Sequence, residues 1–246
     1  MPRESLSATL KRRWKWLLLI VPAALVVVVL GGTLVYIHFI APDPAPRLTF
    51  SSATASAADA GDPSATAAGA IDGTWSVGSG SKVQYRVQEK LNGLDNEATG
   101  TATKVSGTFT IAGTTISAGS FTVDVSDFAS SEDQRDRQFQ SRIMNVSKFP
   151  TATFELTAPI DLGTIPDNLV EVTVPATGKL TMHGTTNDVT MSLKARRNGA
   201  HVEVTGSLPI TFADYNIDNP SGGPARVGDS GEMEFLLLFS KSVNNP

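Results

Sequence analysis

The chain has 246 residues, with 20 Lys and Arg against 24 Asp and Glu, and no cysteine. Its net charge of −4 argues against a nucleic-acid-binding protein, which needs a basic face. Without cysteine there is no disulfide framework, no thiol nucleophile and no thiol-linked lipid, so any folded domain must rest on a hydrophobic core.

Residues 1–16 form a basic tail containing Arg3, Lys11, Arg12, Arg13 and Lys15. Residues 17–40 follow as an uncharged, mostly apolar run. At about 1.5 Å per helical residue, that run is long enough to cross a hydrocarbon core of roughly 30 Å. The basic flank stays in the cytoplasm, so the remainder of the chain is expected outside a cell membrane, tethered by one N-terminal helix. Trp14 and Trp16 suit the inner interface and Tyr36 the outer one. A cleaved signal peptide would have an apolar core of about 7–15 residues ending at a small-residue site. Here the run is longer and leads into Ala41-Pro-Asp-Pro-Ala-Pro46, a poor cleavage context.

Residues 41–70 read as a linker. Pro42, Pro44 and Pro46 open it, and Ser, Ala, Thr, Asp and Gly continue it. Such a composition buries little apolar surface and is expected to stay extended or disordered. Leu48 and Phe50 are the apolar exceptions, and the sequence assigns them no role.

From residue 71 to 246 the texture becomes that of an all-β domain. Val83, Tyr85 and Val87 share one parity, as do Phe121, Val123 and Val125, then Phe154 and Leu156, Val189, Met191 and Leu193, and Leu208, Ile210 and Phe212. Alternation of this kind marks half-buried strands, roughly ten of them. Asn92-Gly93, Ala112-Gly113, Thr186-Asn-Asp188, Asn198-Gly199 and residues 219–223 read as turns and loops. Hairpin-length connections predict an antiparallel meander, and closure into a barrel removes its edges. Residues 127–148 break the pattern. They are rich in charge, with Phe139, Ile143 and Met144 at roughly helical spacing, and read as short helices or an ordered loop.

The domain carries 14 Lys and Arg against 20 Asp and Glu, a net charge of −6. That disfavours polybasic docking on anionic lipids. Catalytic chemistry has little foothold: there is no nucleophile elbow, phosphate loop or metal-ligand spacing, so neither an enzyme nor a cofactor is expected. His183, in Thr-Met-His-Gly-Thr, reads as a ring bonding across a tight strand end. Arg135-Asp136 reads as an ion pair fixing the irregular segment, or as a charged group at a pocket mouth. Tyr85, Phe109, Phe121, Phe154, Met182, Met191, Phe212 and Phe235 either line a cavity or fill a core, since a barrel of about eight strands lies at the threshold between the two.

Five segments in order resemble the YceI-like family of bacterial lipid-binding barrels. Gly73-Thr-Trp-Ser-Val77 with Ser81-Lys-Val-Gln-Tyr-Arg-Val87 resembles its opening strands, and Thr103-Lys-Val-Ser-Gly-Thr-Phe109 the next. Val123-Asp-Val-Ser-Asp-Phe128, Arg135-Asp136 and Lys148-Phe-Pro-Thr-Ala-Thr-Phe-Glu155 follow the central signature. Gly178-Lys-Leu-Thr-Met-His-Gly184 and Gly228-Asp-Ser-Gly-Glu-Met-Glu-Phe235 complete it. The resemblance implies a lipocalin-like antiparallel barrel, with a short helical insertion and an apolar pocket for a polyisoprenoid such as a quinone or polyprenyl lipid. The tethered form resembles membrane-anchored members from high-GC Gram-positive bacteria. Ile143 and Met144 stand where paired phenylalanines are more familiar. The expected pocket residues are the eight above together with Arg135, Phe139, Ile143 and Met144. The alternative is an envelope interaction module with a packed, ligand-free barrel. No protein partner is legible.

Overall fold

The computed structural model describes Pro22 and residues 26–35, 43–50, 71–223 and 225–242. Much of the expected membrane-spanning run, and residues 51–70 of the expected linker, lie outside these. Residues 26–35 are helical, and among the described residues no helix is long and apolar enough to cross a membrane.

Twelve strands build the domain: β1 (Gly73–Val77), β2 (Lys82–Leu91), β3 (Leu94–Ala102), β4 (Val105–Ala112), β5 (Thr115–Asp124), β6 (Thr151–Leu156), β7 (Ile160–Asp161), β8 (Val172–Met182), β9 (Thr185–Asn198), β10 (His201–Thr211), β11 (Ala225–Val227) and β12 (Ser230–Lys241). All ladders are antiparallel, and the order β1-β4-β5-β6-β8-β9-β10-β12 closes on itself because β12 also pairs with β1. The result is an antiparallel barrel, as the alternation predicts, with eight strands in the closed circuit and twelve among the described residues where roughly ten were expected. Its two ends are built differently. At one end β12 pairs with β1, Val77 opposite Phe239. Towards the other, the same edge of β12 pairs with β2, Glu232 opposite Arg86. Between these partners the ladder would leave polar backbone unpaired. The buried Ser81 fills the gap: Leu238 N donates to Ser81 Oγ at 3.0 Å, and Gly78 N donates to Leu238 O at 2.7 Å.

The β2–β3 hairpin turns at Asn92-Gly93, both with positive φ (51° and 86°), the geometry that a two-residue turn needs to match strand twist. The β8–β9 turn does the same at His183-Gly184 (50° and 77°). This corrects the turn expected at Thr186-Asn-Asp188, which lies inside β9. The polar side chains there face solvent or bond the neighbouring loop, as when Asn187 Nδ2 donates to Asp214 O at 2.6 Å. Polarity in that run marks an outer surface, not a chain reversal.

The irregular segment caps one end, hereafter the mouth. It comprises a 3-10 turn (Val125–Asp127), a helix (Asp133–Gln138) and a π-helical turn (Phe139–Ile143). Contacts of several kinds seat it. Thr101 and Ala129 exchange backbone hydrogen bonds at 2.8 and 3.1 Å, so the insertion continues the wall beside β3. Asp127 Oδ2 accepts from Thr103 N and Lys104 N at 2.7 and 2.8 Å. Finally, Phe139 stacks on Tyr85 with centroids 5.0 Å apart, and Phe128 lies against both.

The outer wall carries a buried charge cluster. Arg86 Nε donates to Glu234 Oε1 at 2.8 Å, with side chains only 6% and 3% exposed, and Arg86 also pairs with Glu97. Gln84 Nε2 adds a bond to Glu234 Oε2 at 3.2 Å. A buried pair contributes little net stability when intact but is costly to break, because the remaining charge is left without a partner. Glu234→Ala is therefore expected to cost about 3–5 kcal/mol, measured as a lowered midpoint in urea unfolding.

Candidate functional site

Inward-facing residues leave two adjoining cavities along the barrel axis. The inner one, about 200 Å³, is lined mainly by apolar side chains, with Thr153, Arg196 and Arg197 also in its wall. Phe109 and Phe239 of its wall pack with Trp75: Trp75 and Phe109 stack at 6.2 Å, and Phe239 meets Phe109 edge-on at 4.7 Å. The outer cavity, about 380 Å³, lies under the insertion and has a mixed lining. Phe128, Ala152, Met182 and Met233 line both, so the two meet at that waist.

The structure places each of the twelve expected pocket residues on one of these walls. Phe109, Phe121, Phe154, Met191 and Phe235 line the inner cavity. Tyr85, Arg135, Phe139, Ile143, Met144 and Phe212 line the outer one, and Met182 stands at the waist. Phe128 and Met233 also belong to the waist and were not singled out, although Met233 shares the inward parity of Phe235. Val83, Ile111, Ile160, Leu208 and Leu237 complete the inner wall. As aliphatic strand residues they carry no signal that separates cavity from core.

The lumen stays open through a pairing of large and absent side chains. Tyr85 stands opposite Gly100, Phe121 opposite Gly107 and Phe235 opposite Gly206. Each ring lies against the neighbouring strand at the place where a Cβ would be, and the Phe154 ring does the same over Gly178. A Cβ at Gly206 would come within 2.7 Å of Phe235 Cζ and 3.1 Å of the Ser192 carbonyl oxygen. Gly206→Ala should swing the Phe235 ring into the lumen. A loss of apolar fluorescent-probe uptake, beyond the overpacking cost of about 1–3 kcal/mol in stability, is the expected result.

The mouth holds the polar groups. Arg135 does not pair with Asp136 as its ion partner. It reaches Glu89 across the cavity at 3.8 Å, while Asp136 Oδ1 accepts from Ser130 N at 2.9 Å and braces the insertion. Adjacency in sequence sends the two side chains to different jobs, because a helical turn directs successive residues to different faces. Glu89 is further held by Asn96 Nδ2 at 2.6 Å. His183 is a turn residue whose Nδ1 lies 3.1 Å from Tyr215 O and whose ring meets Phe149 edge-on at 4.6 Å. Its part is structural, as the sequence reading had it. Among the described residues no group of three His, Cys, Asp or Glu is placed to hold a metal ion.

Burial pushes the Tyr85 phenol up to about 12. The carboxylates of Asp136 and Glu89 add to the rise, and Arg135 and a bond with Ser130 oppose it. An unfolded tyrosine ionises near about 10. The folded state thus holds this proton longer, so its contribution is complete below pH 10 and lost as pH rises to about 12. An alkaline tyrosinate titration should show a late phase near that value that is missing in Tyr85→Phe.

A family model described as the YceI-like domain matches residues 75–239. The chain belongs to the YceI-like family. Two solved structures show the same fold. One is a polyisoprenoid binding domain from Saccharophagus degradans implicated in plant cell wall breakdown, 17% identical, TM-score 0.56, with 68% of this chain and 98% of that one covered. The other is BcnA from Burkholderia cenocepacia, 24% identical, TM-score 0.51, covering 64% and 95%. No curated protein matches the chain.

Proposed function

We propose that this YceI-like chain is a membrane-tethered, extracytoplasmic binding protein that takes the chain of an isoprenoid lipid into its barrel. The two-part cavity carries this reading. An inner chamber lined mainly by apolar side chains suits a hydrocarbon tail. The outer chamber, with Arg135, Glu89 and Tyr85 at its wall, suits the head of an isoprenoid quinone or polyprenyl lipid. Burial is worth about 0.8 kcal/mol per CH2, so each five-carbon unit contributes about 4 kcal/mol before ordering costs. The polyisoprenoid binding domain with the same fold supports this ligand class. The order of a basic tail, an apolar run and a Pro-rich segment supports the tether and the cell-membrane location, as in membrane-anchored members of the family. An interaction module with a packed barrel would need an interior without this volume.

The direct check is to produce residues 43–246 in bacteria, extract the purified protein with organic solvent and analyse the extract by mass spectrometry. A near-stoichiometric isoprenoid is expected. An empty extract, together with no uptake of added menaquinone or polyprenyl phosphate, would remove the lipid-binding reading.

A further inference from the structure

Residues 43–50, part of the expected linker, lie across the outside of the barrel instead of leading away from it. Ala45 N donates to Thr99 Oγ1 at 3.0 Å, and Arg86 Nη2 donates to Ala45 O at 2.8 Å. Gln84 Nε2 donates to Pro46 O at 3.2 Å. Arg47 bridges Glu232 and Glu234, both at 2.6 Å. Leu48 N donates to Glu234 Oε2 at 3.2 Å, and Leu48 O accepts from Thr205 Oγ1 at 2.9 Å. Phe50 ends the run beneath the Arg196 guanidinium, 4.5 Å from the ring centroid. The segment crosses β3, β2, β12, β10 and β9 in turn and covers the buried Arg86–Glu234 pair.

From this geometry we infer that residues 43–50 are a strap that fixes the barrel mouth-down on a lipid bilayer, so that the outer cavity opens onto the membrane surface. The inference rests on the proposed reading of residues 17–40 as a membrane anchor. Direction is the first argument. The strap begins at the mouth, where Pro44 lines the outer cavity with Leu91 and Val227, and runs towards the far end. The membrane-proximal end of the chain is thus held at the mouth. Distance is the second. Thirty freely extended linker residues would let the barrel wander about 100 Å from the anchor. With the strap seated, only Ala41 and Pro42 separate Ile40 from Asp43, a reach of about 10 Å. The far end of the barrel lies beyond by about the length of β8, whose 11 residues at about 3.3 Å each span roughly 35 Å. The third argument is contact. Asn92 Nδ2, at the tip of the β2–β3 hairpin, donates to Thr33 Oγ1 of the helix at 2.8 Å. Val26 to Leu30, Leu34 and Val35 of that helix are exposed, an apolar surface that a bilayer would cover.

The chain contains no cysteine, so single labels are clean. Asp95→Cys places a fluorophore beside the hairpin tip, where the native side chain is exposed. Ala200→Cys places one on the β9–β10 hairpin at the opposite end. Each full-length protein is reconstituted in phosphatidylcholine vesicles containing a lipid with a nitroxide on its head group. Quenching several-fold stronger at residue 95 than at 200 is the expected result, and equal quenching overturns the mouth-down arrangement. Arg47→Glu sets a third carboxylate beside Glu232 and Glu234, should release the strap, and should bring the two positions close to parity. Where circular dichroism shows that this variant does not fold, Arg47→Ala removes the contact without adding charge. A full difference that survives strap release would overturn the strap's role. A chain that stays in the aqueous fraction on vesicle flotation would overturn the anchor reading and this inference with it, whereas equal quenching in membrane-bound protein overturns the inference alone.

Discussion

An eight-stranded barrel stands at the threshold where side chains either fill the interior or leave room for one small ligand, and a shortage of inward side-chain volume tips it towards a lumen. Here the shortage comes from strand-interior glycines, and what it leaves is shaped by aromatic rings. Gly100, Gly107 and Gly206 each stand opposite a ring that lies flat on the wall. Glycine in a strand loses backbone entropy and offers no packing of its own, and the ring laid over it returns the missing contacts. The wall is therefore lined with aromatic surface without that surface reaching the axis. A barrel with alanine at these positions would be easier to order as sheet but would turn its rings inward.

The same logic divides the lumen into two chambers. Where β1 closes the wall, Trp75, Phe109 and Phe239 meet in edge and stacked contacts. Where β2 replaces β1, the wall ends at β3, and residues 125–144 complete it with short helical pieces. That part of the wall is seated by side-chain contacts and a few backbone hydrogen bonds, not by a continuous ladder. Local opening costs least where backbone ladders are absent, so the insertion is the natural place for a long apolar chain to enter. Polar groups concentrate there for the same reason: only the mouth gives Arg135 and Glu89 access to water.

Much of this was legible in the residues. Period-2 alternation located most strands, and of the aromatics and methionines left open between cavity wall and core, Phe109, Phe121, Phe154, Met191 and Phe235 line the inner cavity. Phe139, Ile143 and Met144 signalled a segment with an apolar underside, and they line the outer one. Other features were out of reach because they depend on pairings between distant strands. The opposition of Tyr85 and Gly100 appears only once β2 and β3 are in register. The exchange of β1 for β2 along β12 leaves no local trace except a serine, Ser81, whose hydroxyl bonds the backbone. Arg135 and Asp136 looked like partners because they are neighbours, while Glu89, 46 positions away in sequence, is the carboxylate that the guanidinium reaches at 3.8 Å.

Residues 43–50 show why composition alone misleads about a linker. Two prolines among mostly small or polar residues describe a chain that cannot build a core. They say nothing about whether a neighbouring surface can use it. The outer face of β2, β10 and β12 carries Gln84, Arg86, Thr205 and Glu234, polar groups that face outward and yet are buried. A barrel lacking the strap would expose them to water, where each would be satisfied without cost. Covering them requires a segment that presents backbone carbonyls and a cation while adding little bulk. Proline holds its backbone extended, near the polyproline conformation, and frees the preceding carbonyls for outside donors. The carbonyls of Ala45 and Pro46 meet Arg86 and Gln84 in this way, and Arg47 supplies the second positive charge that the Glu232 and Glu234 carboxylates require. The strap therefore depends on the polarity of the wall as much as the wall's burial depends on the strap.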